Sequence, residues 1–133
     1  MINEKIKCLL VEPNKLPEEM EINKDLKEYQ RLVRGYIETV YLPNDNSVVI
    51  ICNDEGKINN MTLNRDIEYD IIAGPFLIVG DDYENGDFKS LTNDQILKYK
   101  MFFDENSIIR TQKKINTILL SNMCRKHERE YER

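Results

Sequence analysis

The sequence predicts an α+β fold: a mixed or antiparallel sheet of 4–5 strands, two helices on one face and an additional C-terminal helix. Three observations carry this. Residues 36–42 and 47–52 are rich in β-branched and aromatic side chains, and Pro43, Asn44, Asp45 and Asn46 between them are turn formers. Two other segments place apolar residues at helical spacing behind helix-start signals. At 133 residues the chain has the size of one domain and can bury a core without disulfide or metal.

Residues 5–11 alternate and then turn apolar, as a largely covered strand does. Glu12-Pro13-Asn14-Lys15 signals a turn, and Glu18 to Ile22 can return as a short strand. Asn23 offers an N-cap for a first helix over about residues 24–34, with Leu26, Tyr29, Leu32 and Val33 as its buried stripe. Gly35 stands where a left-handed C-cap is expected. The hairpin 36–52 follows. Its second strand is apolar on both faces and so belongs inside the sheet. Asn53-Asp54-Glu55-Gly56 reads as a tight turn with Gly56 at positive φ. Residues 57–69 hold few apolar anchors (Met61, Leu63 and Ile67) and read as a loop or a single helical turn. Pro75 to Val79 is a buried strand between Gly74 and Gly80, and Asp81 to Asp87 an acidic surface loop.

The clearest local signal is Leu91-Thr92-Asn93-Asp94-Gln95-Ile96. Thr92 and Gln95 form a capping box, and Leu91 and Ile96 a hydrophobic staple. Ile96, Tyr99 and Phe103 then line one face of a second helix. A third starts near Ser107, with Ile108, Ile115, Leu119 and Met123 on its apolar side. The organisation expected is therefore one α+β domain over 1–106 and a basic helical extension over 107–133.

Charge divides along the same boundary. Residues 107–133 hold seven Lys/Arg against three acids, a net of +4; the whole chain is −5, so residues 1–106 carry −9. An acidic body is a poor match for phosphates, which argues against nucleic acid as a partner. No apolar run approaches the ~20 residues needed to cross a bilayer, and residues 1–7 lack a signal-peptide core, so the expected setting is cytoplasmic and away from membranes. Cys8, Cys52 and Cys124 are three thiols without a close pair, expected reduced.

Catalytic chemistry finds little support, and no catalytic residue, cofactor or metal is expected. The one histidine, His127, lies in the charged tail; with Cys124 it offers two metal ligands, at least one short of a zinc site. The carboxylate pairs Glu18/Glu19, Asp54/Glu55 and Asp81/Asp82 lie in turns, solvated alike, whereas acid–base work needs unlike environments. None of the phosphate-binding glycine patterns occurs.

One polar constellation stands out: Asn53, Asp54, Glu55, Asn59, Asn60, Asn64, Arg65 and Asp70, between two apolar strands. Such side chains organise irregular backbone, with Arg65 bridging Glu55 or Asp70. Alternatively they form a polar rim that grips a ligand or partner.

Glu12-Pro13, the run Leu32 to Glu38, Cys52 to Lys57, Leu63-Asn64-Arg65, Asp70 to Gly74 and Phe88 to Thr92 resemble, in order and spacing over about residues 6–104, the family known as domain of unknown function 3846. The resemblance implies a product of phages, plasmids or conjugative elements of low-GC bacteria and attaches no activity. It does not extend over the basic helix. Where that pattern has two glycines before Tyr-Ile-Glu, this chain has Arg34-Gly35.

The function expected is that of a non-enzymatic accessory protein of a mobile element, acting by binding a protein partner, with homodimerisation through the C-terminal helix as a further use of that helix. The alternative is a small, nucleotide-like ligand held by the cluster 53–65. Asn53, Glu55, Asn64, Arg65 and Tyr36 are the candidate binding residues for either.

Overall fold

The computed structural model describes residues 4–131, the side chains of 125–131 excepted. The main sheet has six strands: β1 (Lys5–Val11), β2 (Glu18–Asn23), β3 (Ile37–Leu42), β4 (Asp45–Asn53), β7 (Phe76–Asp82) and β8 (Asp87–Lys89). Their order is β2-β1-β7-β4-β3, with β8 also on β7 and every pairing antiparallel. Two further strands, β5 (Leu63–Asp66) and β6 (Ile71–Ala73), form a small hairpin of their own. Helices α1 (Leu26–Val33), α2 (Asn93–Phe102) and α3 (Glu105–Tyr131) complete an α+β fold.

The interior strands dictate the layering. Along β4, Val48, Ile50 and Cys52 enter one core with Leu9, Val11, Phe76 and Ile78, while Val49 and Ile51 enter another with Cys8, Leu10, Leu77 and Val79. Two apolar faces need two covers. Tyr29 and Val33 of α1 close one; Ile96 and Tyr99 of α2, with Phe103, close the other beside Ile67 and Ile72 of the small hairpin. The two helices thus lie on opposite faces, not on one.

Local chemistry explains most of the remaining departures. Asp25, not Asn23, caps α1, its side chain accepting from Glu28 N at 3.0 Å. The helix starts at Leu26, which is exposed. The left-handed residue at its end is Arg34 (φ 65°, ψ 41°), one position before Gly35. Gly35 is needed for closeness: a Cβ there would stand 2.8 Å from Asn53 Nδ2. Gly56 does not take positive φ; its Cβ would stand 2.7 Å from Ala73 O, so it lets the turn lie against β6.

Residues 63–66, within the segment read as a loop or a single helical turn, are a strand because β6 supplies a partner that no local pattern announces. The acidic segment 81–87 is the tip of the β7–β8 hairpin. The capping box of α2 is present as expected, with Gln95 N donating to Thr92 Oγ1 and Thr92 N to Gln95 Oε1. Helix α3 docks by a polar face: Thr111 Oγ1 accepts from Asp66 N at 2.9 Å, and Lys114 Nζ reaches Asp66 Oδ1 at 2.7 Å. Ser107 and Thr111 are its buried positions, and of the expected apolar side only Ile108 and Ile115 are half-buried.

Candidate functional site

The polar constellation is split by the fold. Asn53 ends β4, and its Nδ2 donates to Val33 O at 3.0 Å and Arg34 O at 3.1 Å, satisfying carbonyls that the end of α1 leaves open. Its Oδ1 accepts from Glu55 N at 2.8 Å and shapes the turn. Asn64 and Arg65 lie elsewhere, in β5. Asn64 Nδ2 donates to Val11 O at 2.8 Å and Gly74 O at 2.9 Å, joining the end of β1 to the segment before β7.

Arg65 is fully buried. Its Nη1 donates to Asn64 Oδ1, and its Nη2 to Lys15 O at 2.6 Å and Phe103 O at 3.2 Å. Neither Glu55 nor Asp70, the bridges expected of it, is its partner; Asp70 pairs with Lys57 instead. Burial pulls the guanidinium down to about 10, against a raising effect of Asp104. Nε has no hydrogen-bond partner. Arg65 is a cation solvated by main-chain carbonyls.

Of the five candidate residues, Tyr36, Asn53 and Glu55 meet at one depression of about 230 Å³. Tyr36 is 75% exposed. Glu55 also borders a cleft of about 250 Å³ between the main sheet and the small hairpin, whose walls include Glu38, Cys52, Lys57, Asp70 and Ile72. The residue that sequence reasoning left out is Arg34, which joins the 230 Å³ depression to one of about 200 Å³ lined by Glu12, Asn60 and Thr62. The signal for it was the helix end itself, where the left-handed position was assigned to the glycine next door.

The thiols of Cys8 and Cys52 are buried, and that burial pushes both up to about 12, so neither is poised as a nucleophile at neutral pH. Cys124 is exposed. Among the described residues no three His, Cys, Asp or Glu side chains are placed to hold a metal; His127, considered as a ligand beside Cys124, lies outside the residues whose side chains are described. No described helix is long and apolar enough to cross a membrane.

Beyond Ile115 the described side chains of α3, residues 116–124, are exposed. Ile118, Leu119, Leu120 and Met123 follow one another on its exposed surface, Met123 at 67% exposure and Leu120 at 62%. At 1.5 Å per residue the helix is about 40 Å long, and among the described residues its side-chain bonds to the body come from Thr111 and Lys114.

A family model described as Domain of unknown function (DUF3846) matches residues 6–104. Neither a curated protein nor a solved structure matches the chain.

Proposed function

The chain belongs to the family described as Domain of unknown function (DUF3846), and from that premise we propose that it is a non-enzymatic accessory protein of a phage or other mobile element that acts by binding a protein partner through the outer half of α3. The observation that carries this reading is the run Ile118, Leu119, Leu120 and Met123, exposed on a helix whose bonds to the body, among the described residues, lie near its start. A helix presenting apolar side chains within a segment of net positive charge suits an acidic amphipathic helix, which sets its apolar face against them and its carboxylates toward the cations. The net +4 of residues 107–133 favours that charge sign.

The second reading, a nucleotide-like ligand in the cluster 53–65, has less to work with. Asn53, Asn64 and Arg65 are occupied by main-chain groups, which leaves Glu55 and Tyr36.

The test is capture at physiological salt by the wild-type chain and by Leu119→Asp/Leu120→Asp, with sedimentation of each alone. A partner held by the first and lost by the second, through an acidic helical segment, is the expected result. A partner retained equally by both overturns the reading, and self-association lost in the variant replaces the foreign protein with a second copy.

A further inference from the structure

We propose that the groove around Arg34 binds a carboxylate-bearing ligand whose charge is single and whose body is flat or apolar. The inference is independent of the role of α3. Arg34 holds the left-handed conformation at the end of α1, which glycine adopts freely and arginine resists. Its side chain is exposed and, among the described residues, forms no hydrogen bond or ion pair. The other two arginines of the sheet domain are committed, Arg31 to Glu28 and Arg65 to buried carbonyls. Arg34 is thus the open guanidinium of a body that carries −9 over residues 1–106.

Its setting is concave on two sides. On one, Glu12, Asn60 and Thr62 border a depression of about 200 Å³; on the other, Tyr36, Glu55 and Asn59 border one of about 230 Å³. Chain segments far apart in sequence meet at this one side chain. A guanidinium presents a planar fork that matches a carboxylate or a phosphate with two parallel hydrogen bonds. Glu55 decides between them. Glu12 is paired with Lys15 at 3.2 Å, whereas the Glu55 carboxylate has no cation partner among the described residues, so a multiply charged phosphate meets its repulsion while a single negative charge is balanced by Arg34. The exposed ring of Tyr36 offers a flat apolar surface beside the charge, and the Asn59 and Asn60 amides and the Thr62 hydroxyl offer further donors.

The experiment is a ¹⁵N-edited NMR titration of the full chain with benzoate, with inorganic phosphate, and with a short blocked peptide carrying one glutamate. Benzoate or the peptide should give saturable shifts at Arg34 Nε–H and at the Asn59 and Asn60 side-chain amides, with phosphate weaker. Arg34→Gly suits the left-handed backbone, so it should fold with a raised Tm and lose those shifts. Arg34→Lys keeps the charge without the fork and should weaken binding about tenfold. A clear preference for the peptide assigns a protein carboxylate, and a preference for benzoate a free small acid. Three results overturn the proposal: no saturable shift with either carboxylate in the millimolar range, shifts that persist in Arg34→Gly, or phosphate binding as tightly as the carboxylates.

Discussion

Arg65 donates through Nη1 to the side-chain oxygen of its neighbour Asn64 at 2.9 Å, and this contact fixes which way the Asn64 amide faces. The amide nitrogen is then held on Val11 O and Gly74 O, and Nη2 of the guanidinium on Lys15 O and Phe103 O. One two-residue unit thereby fastens the small hairpin to the end of β1, to the turn after it and to the end of α2. Desolvating a charge is unfavourable, and here donation to these main-chain carbonyls offsets it.

Arg65→Ala therefore destabilises the protein by about 3 kcal/mol, the scale for leaving buried acceptors unpaired and opening a cavity. Urea denaturation at pH 7 measures it. A loss below about 1 kcal/mol would mean that water replaces the guanidinium without difficulty.

Asn53→Ala removes two donors from the carbonyls that end α1 and one acceptor from the 53–56 turn. A loss of about 2 kcal/mol is expected. Asn53→Asp should be no better than alanine, because an acceptor then faces the Val33 and Arg34 carbonyls. Rescue by aspartate would contradict the assignment.

Asp45 ties the β3–β4 turn to α2. Burial opposes its charged form, but hydrogen bonds from Ser47, Tyr99 and Lys98 outweigh that and hold the carboxyl well below its usual range. The unfolded chain, with an aspartate near 3.9, takes up the proton first. The contribution is present above about pH 4 and is lost as pH falls through the folded value. Asp45→Asn should be less stable than wild type at pH 7 by about 1 kcal/mol, with the gap narrowing on acidification below pH ~4. Thermal unfolding across pH 3–7 reads it, and a gap that widens toward low pH contradicts it.

Thiol reactivity follows burial. In the native protein at pH 8 one thiol, Cys124, should react rapidly with Ellman's reagent, and Cys8 and Cys52 only at the rate of unfolding. Three fast thiols in the absence of denaturant would show that the core opens.

What was legible in the sequence was whatever a short window determines. The capping box at Thr92 and Gln95, the hairpin 37–53 and the interior place of β4 all follow from neighbours a few residues apart. What depended on distant partners was missed. Strand β5 forms because Ile71 and Ile72 come back to it, and Leu63, Asn64, Arg65 and Asp66 carry no alternation to announce that. The placement of α1 and α2 on opposite faces follows from the apolar character of both faces of β4, whereas helical spacing alone puts both helices on one face. At the candidate site the residue types were right for a polar cluster, but the sequence cannot say which arginine is spent on carbonyls. Arg65 is, and Arg34 stays open because a helix ends one residue before the glycine.

The most direct measurement of the central claim is amide hydrogen exchange of the chain with and without its captured partner, resolved along α3. Slowed exchange over residues 115–124, with β1, β4 and β7 unchanged, is the predicted result. Protection confined to the segments around Tyr36 and Glu55, with α3 exchanging as it does alone, would contradict a contact made by the helix.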